Sequence, residues 1–153
     1  MVSLSSPHNR NTIYHAGNVI FKSKDGGINW EVISPDLTRN NKNQQVPGGT
    51  PFTNEAAGGE NYNTLMSLSL SPHDSKVIWA GSDDGLIHIT QDGGENWKNV
   101  TPRGLKEGII NSIEVSPHDP ATAYITLMRY KFMDLMPYIF KTKDYGLNWE
   151  LIT

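Results

Sequence analysis

One octapeptide occurs three times in this 153-residue chain: Ser23-Lys24-Asp25-Gly26-Gly27-Ile28-Asn29-Trp30, Thr90-Gln91-Asp92-Gly93-Gly94-Glu95-Asn96-Trp97 and Thr142-Lys143-Asp144-Tyr145-Gly146-Leu147-Asn148-Trp149. Each copy reads hydroxyl, any residue, Asp, any residue, Gly, any residue, Asn, Trp. A repeat of that specificity constrains the architecture before composition does. A β-rich apolar run precedes each copy (Val19-Ile20-Phe21, Leu86-Ile87-His88-Ile89 and Tyr138-Ile139-Phe140), and a short run ending in Ser or Thr follows it. Two strands joined by a Gly-containing turn read as a hairpin. Inside the turn, Asp25, Asp92 and Asp144 are placed to accept from backbone N–H groups a few residues on. Gly27, Gly94 and Gly146 stand where a positive φ is expected, which a Cβ penalises. Trp30, Trp97 and Trp149 are expected to bury their rings at the start of the next strand, with each indole N–H tied to an acceptor. These nine residues are read as structural.

A second repeat lies ahead of each octapeptide: Ser6-Pro7-His8-Asn9, Ser71-Pro72-His73-Asp74 and Ser116-Pro117-His118-Asp119. Stretches of strand character flank each one, with apolar/polar alternation clearest in Ile110-Asn111-Ser112-Ile113-Glu114-Val115. The unit is therefore strand, Ser-Pro turn, strand, loop, strand, octapeptide turn, strand. Four antiparallel strands, repeated, make a β-propeller blade. The expected fold is all-β: three four-stranded antiparallel β-propeller blades forming a single segment over 1–153. Blade one covers about 1–34, a loop follows over 35–62, blade two covers about 63–101 and blade three about 108–153. Propellers close with about 4–8 blades, so three blades form an open arc with two apolar end faces. Exposed patches of that size point to association. The arc is read as part of a longer ring completed by flanking blades, or as a subunit that packs head to tail with copies of itself. Self-closure is the preferred reading, provided that head-to-tail contacts close rather than grow.

The octapeptides resemble the Asp-box, or BNR repeat, of sialidase-like and sortilin-like propellers. Combined with the Ser-Pro-His-Asp turns, with Ile33-Ser34-Pro35-Asp36-Leu37-Thr38 and with Trp79-Ala80-Gly81-Ser82-Asp83-Asp84-Gly85, the whole chain resembles large bacterial BNR-repeat proteins of sortilin-like or glycosyl-hydrolase-like type. The resemblance implies the fold. Asp-boxes occur in enzymes and binding proteins alike, so the activity stays open. The third copy departs from the pattern, with Tyr145 in place of the first Gly, and its turn is expected to survive that change. Such relatives are often exported, yet Met1-Val2-Ser3-Leu4 lacks the regions of a signal peptide, and the compartment is left unassigned.

The net charge is −3, with acids and bases interspersed, and this gives no basic footprint for nucleic acid. Without Cys there is neither a disulfide nor a thiolate metal site. No apolar run reaches the roughly 18 residues of a membrane span. Neither a cofactor nor a metal is expected.

If the strands of a blade are lettered A to D from the axis outward, the Ser-Pro turns and the octapeptides share one face. The B–C loops and inter-blade connections share the other, where the insertions fall. The longest insertion, roughly Pro35 to Asn63, is rich in Asn, Gly, Gln and Thr, and its composition fits disorder as well as a binding loop. The next is Arg129-Tyr130-Lys131-Phe132-Met133-Asp134-Leu135-Met136-Pro137, whose aromatic, basic and Met content suits a ligand contact or a packed blade edge. Asp83 and Asp84, read as adjacent strand carboxylates, point to opposite sides. One of them faces the axis as a general acid or base or as a cation ligand helped by Glu60 or Asp134, or the Asp-Gly pair is simply a hairpin turn. The candidate binding residues are Asp83, Asp84, Arg129, Tyr130, Lys131 and Asp134, and the candidate catalytic carboxylates are Asp84 and Glu60. The recurring His8, His73 and His118 are read as structural.

The leading function is a non-catalytic binding or scaffold propeller that presents its loop-rich face to a protein, peptide or glycan. The alternative is a fragment of a sialidase-like or other glycoside hydrolase, which needs two carboxylates about 5–5.5 Å or about 6.5–9.5 Å apart. A sialidase also clamps its substrate with clustered arginines. This chain has only Arg10, Arg39, Arg103 and Arg129, and Arg10 is placed on the octapeptide face.

Overall fold

A computed structural model describes residues 2–45 and 62–153. Glu60 and positions 46–61 of the long insertion lie outside the described residues. The described chain forms three four-stranded antiparallel sheets, each with its strands in sequence order. The first holds β1 (Val2–Ser5), β2 (Ile13–Ala16), β3 (Ile20–Ser23) and β4 (Glu31–Val32). The second holds β5 (Leu65–Leu70), β6 (Ile78–Ser82), β7 (Ile87–Thr90) and β8 (Lys98–Asn99). The third holds β9 (Ile109–Val115), β10 (Ala123–Arg129), β11 (Asp134–Thr142) and β12 (Glu150–Leu151). These are three propeller-type blades.

Burial follows from which faces are covered. The middle blade has neighbours on both sides, and all five residues of β6 are buried. Ile78 and Ala80 join a core cluster with Tyr14, Ala16 and Ile20 of blade one, whereas Trp79 joins a cluster with Ile113, Ile125 and Leu127 of blade three. In β2 and at the start of β10, each covered on one side, buried and half-buried residues alternate instead. The blades touch most closely near the axis. There the Ser67 hydroxyl donates to the Ile110 carbonyl at 3.0 Å, and a Cβ at Gly81 would lie 2.4 Å from Ile110 Cγ2.

The octapeptide turns share one local network. In the second copy, Thr90 Oγ1 donates to Asp92 Oδ1 at 2.7 Å, and the Gly94 N–H donates to Thr90 Oγ1 at 3.0 Å. The Asn96 backbone and side-chain N–H groups donate to the two Asp92 oxygens at 2.9 and 2.8 Å. The first and third copies repeat these bonds around Asp25 and Asp144. Tyr145 takes a φ of 58°, so the left-handed turn persists without Gly at that position. Asp25 is held at a pKa of about 2 by the backbone and side chain of Asn29, followed by the Ser23 hydroxyl.

The indoles divide into two kinds. Trp97 Nε1 donates to the Ile33 carbonyl at 2.8 Å and Trp149 Nε1 to the Val100 carbonyl at 2.7 Å, each reaching back to the preceding blade. Trp30 corrects the expectation of a buried ring. It is 44% exposed and donates to its own Gly27 carbonyl at 2.9 Å, because among the described residues no blade precedes it.

Candidate functional site

The octapeptide turns are tied to the Ser-Pro turns by Gly26 N–H to Asn11 O, Gly93 N–H to Lys76 O and Tyr145 N–H to Ala121 O. That face carries the turns, with a cleft of about 800 Å³ between blades one and two lined by His8, Lys22, Lys76 and Asp92. On the opposite face, B–C loops meet inter-blade connections: the Leu37 N–H donates to Asn18 O, the Leu65 N–H to Gly17 O and the Asp83 N–H to Thr64 O. The candidate residues gather there, in two clusters.

The first cluster is the turn that follows β6. Asp83 and Asp84 occupy this turn rather than a strand, with Gly85 at φ 86°. This corrects the strand reading, and opposite-facing alternation does not apply. Asp83 Oδ1 accepts from the Asn63 and Thr64 N–H groups at 3.0 and 2.9 Å. Asp84 is fully buried; it accepts from Ser82 Oγ at 2.5 Å, from the Arg39 N–H at 2.7 Å and from Asn63 Nδ2 at 2.6 Å. Arg39 Nε closes the ring by donating to the Asp84 carbonyl at 3.0 Å. The pair thus ties Arg39 and Asn63, one from each described stretch of the long connection, to blade two. Burial pushes the Asp83 pKa up to about 7, with the Asp84 charge adding to the rise, against the Thr64 and Asn63 hydrogen bonds and the Lys131 charge.

The second cluster is the tip of the β10–β11 hairpin. Arg129 pairs with Asp134, and Tyr138 Oη donates to the same Asp134 oxygen at 2.9 Å. Arg129 Nε donates to the Glu107 carbonyl at 2.9 Å, and the guanidinium lies 5.2 Å from the Phe132 ring centre. The Glu107 side chain accepts from Tyr62 Oη at 2.6 Å and from Gln44 Nε2 at 3.2 Å. Between Arg129 and Asp134 runs a one-turn 3-10 segment, Tyr130–Phe132, followed by Met133 at φ 57°. This framework presents Met133 at 92% exposure, Leu135 at 84%, Met136 at 65% and Tyr130 at 52%. Below the tip, on the side of blade three turned away from blade two, Thr126, Met128 and Ile139 line a groove of about 440 Å³.

Among the proposed contacts, Arg129 and Asp134 thus meet each other, while Asp83 and Asp84 meet the connection. Tyr130 and Lys131 stand on the tip. Sequence reasoning missed Asn63, Arg39, Glu107 and Tyr138, which supply the partners. Only the buried Asn63, at φ 74°, belongs to a residue type known for such backbone, and its partners are remote in sequence. Among the described residues, no three His, Asp or Glu side chains are grouped to hold a metal ion.

No protein-family model matches the chain. It is 26% identical over 88 residues to the oligoxyloglucan-reducing end-specific xyloglucanase of Emericella nidulans, a stretch that covers 56% of this chain and 10% of that enzyme. Among solved structures, an ancestral GH74 enzyme aligns over 99% of this chain and 18% of its own, at 16% identity and a TM-score of 0.68. YCF48 bound to D1 peptide aligns over 99% of this chain and 42% of its own, at 18% identity and a TM-score of 0.60. YCF48 from Cyanidioschyzon merolae aligns over 99% and 36%, at 16% identity and a TM-score of 0.62. The chain therefore spans less than half the length of each of these proteins, and the shared feature is the propeller fold.

Proposed function

We propose that this protein is a non-catalytic propeller module of the Asp-box, sortilin-like type, which holds a protein, peptide or glycan against its loop face. Further blades, from flanking sequence or from other copies, complete its ring. One observation carries the binding reading: large apolar side chains at Tyr130, Met133, Leu135 and Met136 stand out from a tip that is itself pinned by Arg129, Asp134 and Tyr138. A rigid support for an exposed apolar patch suits a partner surface. The apolar content favours a protein or peptide over a glycan, with Lys131 supplying a cation. YCF48 bound to D1 peptide is a propeller of similar fold that takes a peptide. Screening against peptide and glycan arrays tests the reading. In a Met133→Ser/Met136→Ser double variant, binding is expected to fall at least about tenfold with the thermal midpoint unchanged. Ligands bound equally well by the variant refute the tip as the contact.

The 88-residue likeness to a xyloglucanase supports a second reading, a segment of a glycoside hydrolase. The hydrogen bonds around Asp83 and Asp84 argue against that pair as its acids, which leaves Glu60 of the original candidates. Release of reducing ends from xyloglucan oligosaccharides, lost in Glu60→Gln, supports this reading; no release defeats it.

A further inference from the structure

The blades of this chain are joined by a directional code, and the outer faces of blades one and three carry its parts without a partner blade among the described residues. At each internal junction the preceding blade sends a histidine forward: His8 Nε2 bonds to the Ser71 carbonyl at 2.8 Å, and His73 Nε2 to the Ser116 carbonyl at 2.9 Å. The following blade sends its indole back to the carbonyl three residues beyond the preceding Trp, which is Ile33 or Val100. The side chain of that same residue presses on the following octapeptide glycine. A Cβ at Gly94 would lie 3.0 Å from Ile33 Cβ, and one at Gly146 would lie 2.8 Å from Val100 Cβ. The following blade also covers an aromatic eight residues beyond the Ser of the Ser-Pro turn. Blade two buries Tyr14, and blade three buries Trp79, which Trp149 meets edge-on at 6.1 Å.

The parts of this code recur on the outer faces of blades one and three, where none of them bridges two blades among the described residues. On the trailing face of blade three, the His118 ring and the Ile152 carbonyl have no hydrogen-bond partner among the described residues, and Tyr124, the third aromatic of the series, is only half-buried. Ile152 itself is 45% exposed. On the leading face of blade one, Trp30 is turned onto its own Gly27, and the Ser6 carbonyl is unused among the described residues. His15, with Phe21 at 6.5 Å and Trp30 at 6.3 Å, forms an aromatic group on that side. A Cβ at Gly27 would meet nothing within 4 Å except Trp30 at 3.6 Å, so the seat that Ile33 and Val100 fill at the internal junctions is vacant.

We propose that the leading face of blade one receives the trailing face of blade three from a second copy of this chain. In that contact Trp30 Nε1 leaves Gly27 and donates to the second copy's Ile152 carbonyl, and the second copy's His118 bonds to the Ser6 carbonyl. The second copy's Ile152 side chain fills the seat at Gly27, and Trp30 covers its Tyr124. The contact continues the geometry of the two internal junctions, and it is heterologous, so each copy keeps one face for the next. This proposal rests on the ring-completion part of the function above; the groove below the hairpin tip, lined by Met128, Ile139, Tyr130 and Met136, lies on the same trailing face of blade three.

The directionality gives the test. Wild-type protein is expected to show mass growth with concentration in analytical ultracentrifugation, either to a closed ring or to longer arcs. Trp30→Glu disables the leading face and Ile152→Glu the trailing face; both residues are exposed, and circular dichroism and the thermal midpoint check that each variant folds. Each variant alone is expected to be monomeric at concentrations about tenfold above those at which the wild type associates. Mixed together, they are expected to form a one-to-one dimer and nothing larger, since only one intact junction remains. A wild-type monomer at millimolar concentration overturns the proposal. So does association by either variant alone, or a mixture that stays monomeric while the wild type assembles. Because monomeric variants retain the tip, peptide binding by them separates failure of this contact from failure of the loop-face reading.

Discussion

A tryptophan that reaches into a neighbouring blade holds two elements together, whereas one that folds onto its own turn holds only the turn. Trp149 packs against Trp79 and donates to a carbonyl 49 residues away; Trp30 is 44% exposed and bonds within its octapeptide. Trp149→Ala is therefore expected to destabilise the fold by about 3 kcal/mol or more, and Trp30→Ala by less than about 1 kcal/mol. Urea denaturation of the two variants at a concentration where the protein is monomeric reads the difference, and equal losses contradict the assignment. The contrast also marks what a residue-level reading reaches. The bonds among Ser23, Asp25, Gly27 and Asn29 span two to four positions, so spacing alone displays them. The acceptor of Trp97 lies 64 residues away, and two of the three residues that donate to the Asp84 carboxylate lie 21 and 45 residues away; no local pattern encodes such pairings. This is why Asp83 and Asp84 read as candidate chemistry in the sequence, and why Arg39 and Asn63 do not stand out beside them.

At the scale of elements, blade order and strand count follow from repeat phase, because each turn type marks the same corner of every sheet. The contacts between sheets are set by how closely two backbones approach, and here glycine decides. Gly27 and Gly146 have φ values of 96° and 85°, so Ala at either strains the turn. Only at Gly146 would the new Cβ also meet another blade, 2.8 Å from Val100 Cβ and 2.9 Å from its Cγ2. Gly146→Ala is thus expected to cost about 1–3 kcal/mol more than Gly27→Ala, as read from the same denaturation midpoints. Gly81→Ala is expected to fall with Gly146→Ala, since its Cβ would lie 2.4 Å from Ile110 Cγ2 and 2.5 Å from Ser67 Oγ without any positive φ. An equal cost at Gly27 and Gly146 with none at Gly81 would place the penalty in the turn rather than between the blades. The hairpin tip illustrates the complementary limit. Its composition flagged a contact surface, but the division into a pinned base (Arg129, Asp134, Tyr138) and exposed Met133 and Met136 depends on the bulge between Leu127 and Arg129 and on the Glu107 carbonyl.

For the molecule as a whole, the titration of Asp83 acts against that of the other shifted carboxylates. On the turn face, Asp25, Asp92 and Asp144 have pKa values lowered by hydrogen bonds, chiefly from Asn29, Asn96 and Asn148. A carboxyl with a depressed folded pKa contributes stability that is present above its unfolded value and lost as pH falls through the folded one. The window for Asp25 runs from 3.8 down to about 2. His88, lowered by burial, likewise favours the folded state less as it must take up a proton. On the loop face Asp36 and Asp134 are lowered as well, and the sign reverses at Asp83 alone among the shifted carboxylates. The folded pKa of Asp83 is raised from 3.8 to about 7, chiefly by burial. Its contribution is fully present below 3.8 and is lost as pH rises through about 7, where the folded state must hold the charge beside Asp84. Asp83→Asn keeps an oxygen to accept from the Asn63 and Thr64 N–H groups and removes that charge. The variant is therefore expected to gain thermal midpoint relative to wild type above neutral pH, to lose that advantage as pH falls below 3.8, and to share the acid-side decline set by the octapeptide carboxylates. Thermal unfolding of both proteins across about pH 3 to about pH 9 measures the difference, and parallel curves throughout would mean that Asp83 titrates in the folded chain as it does in the unfolded one.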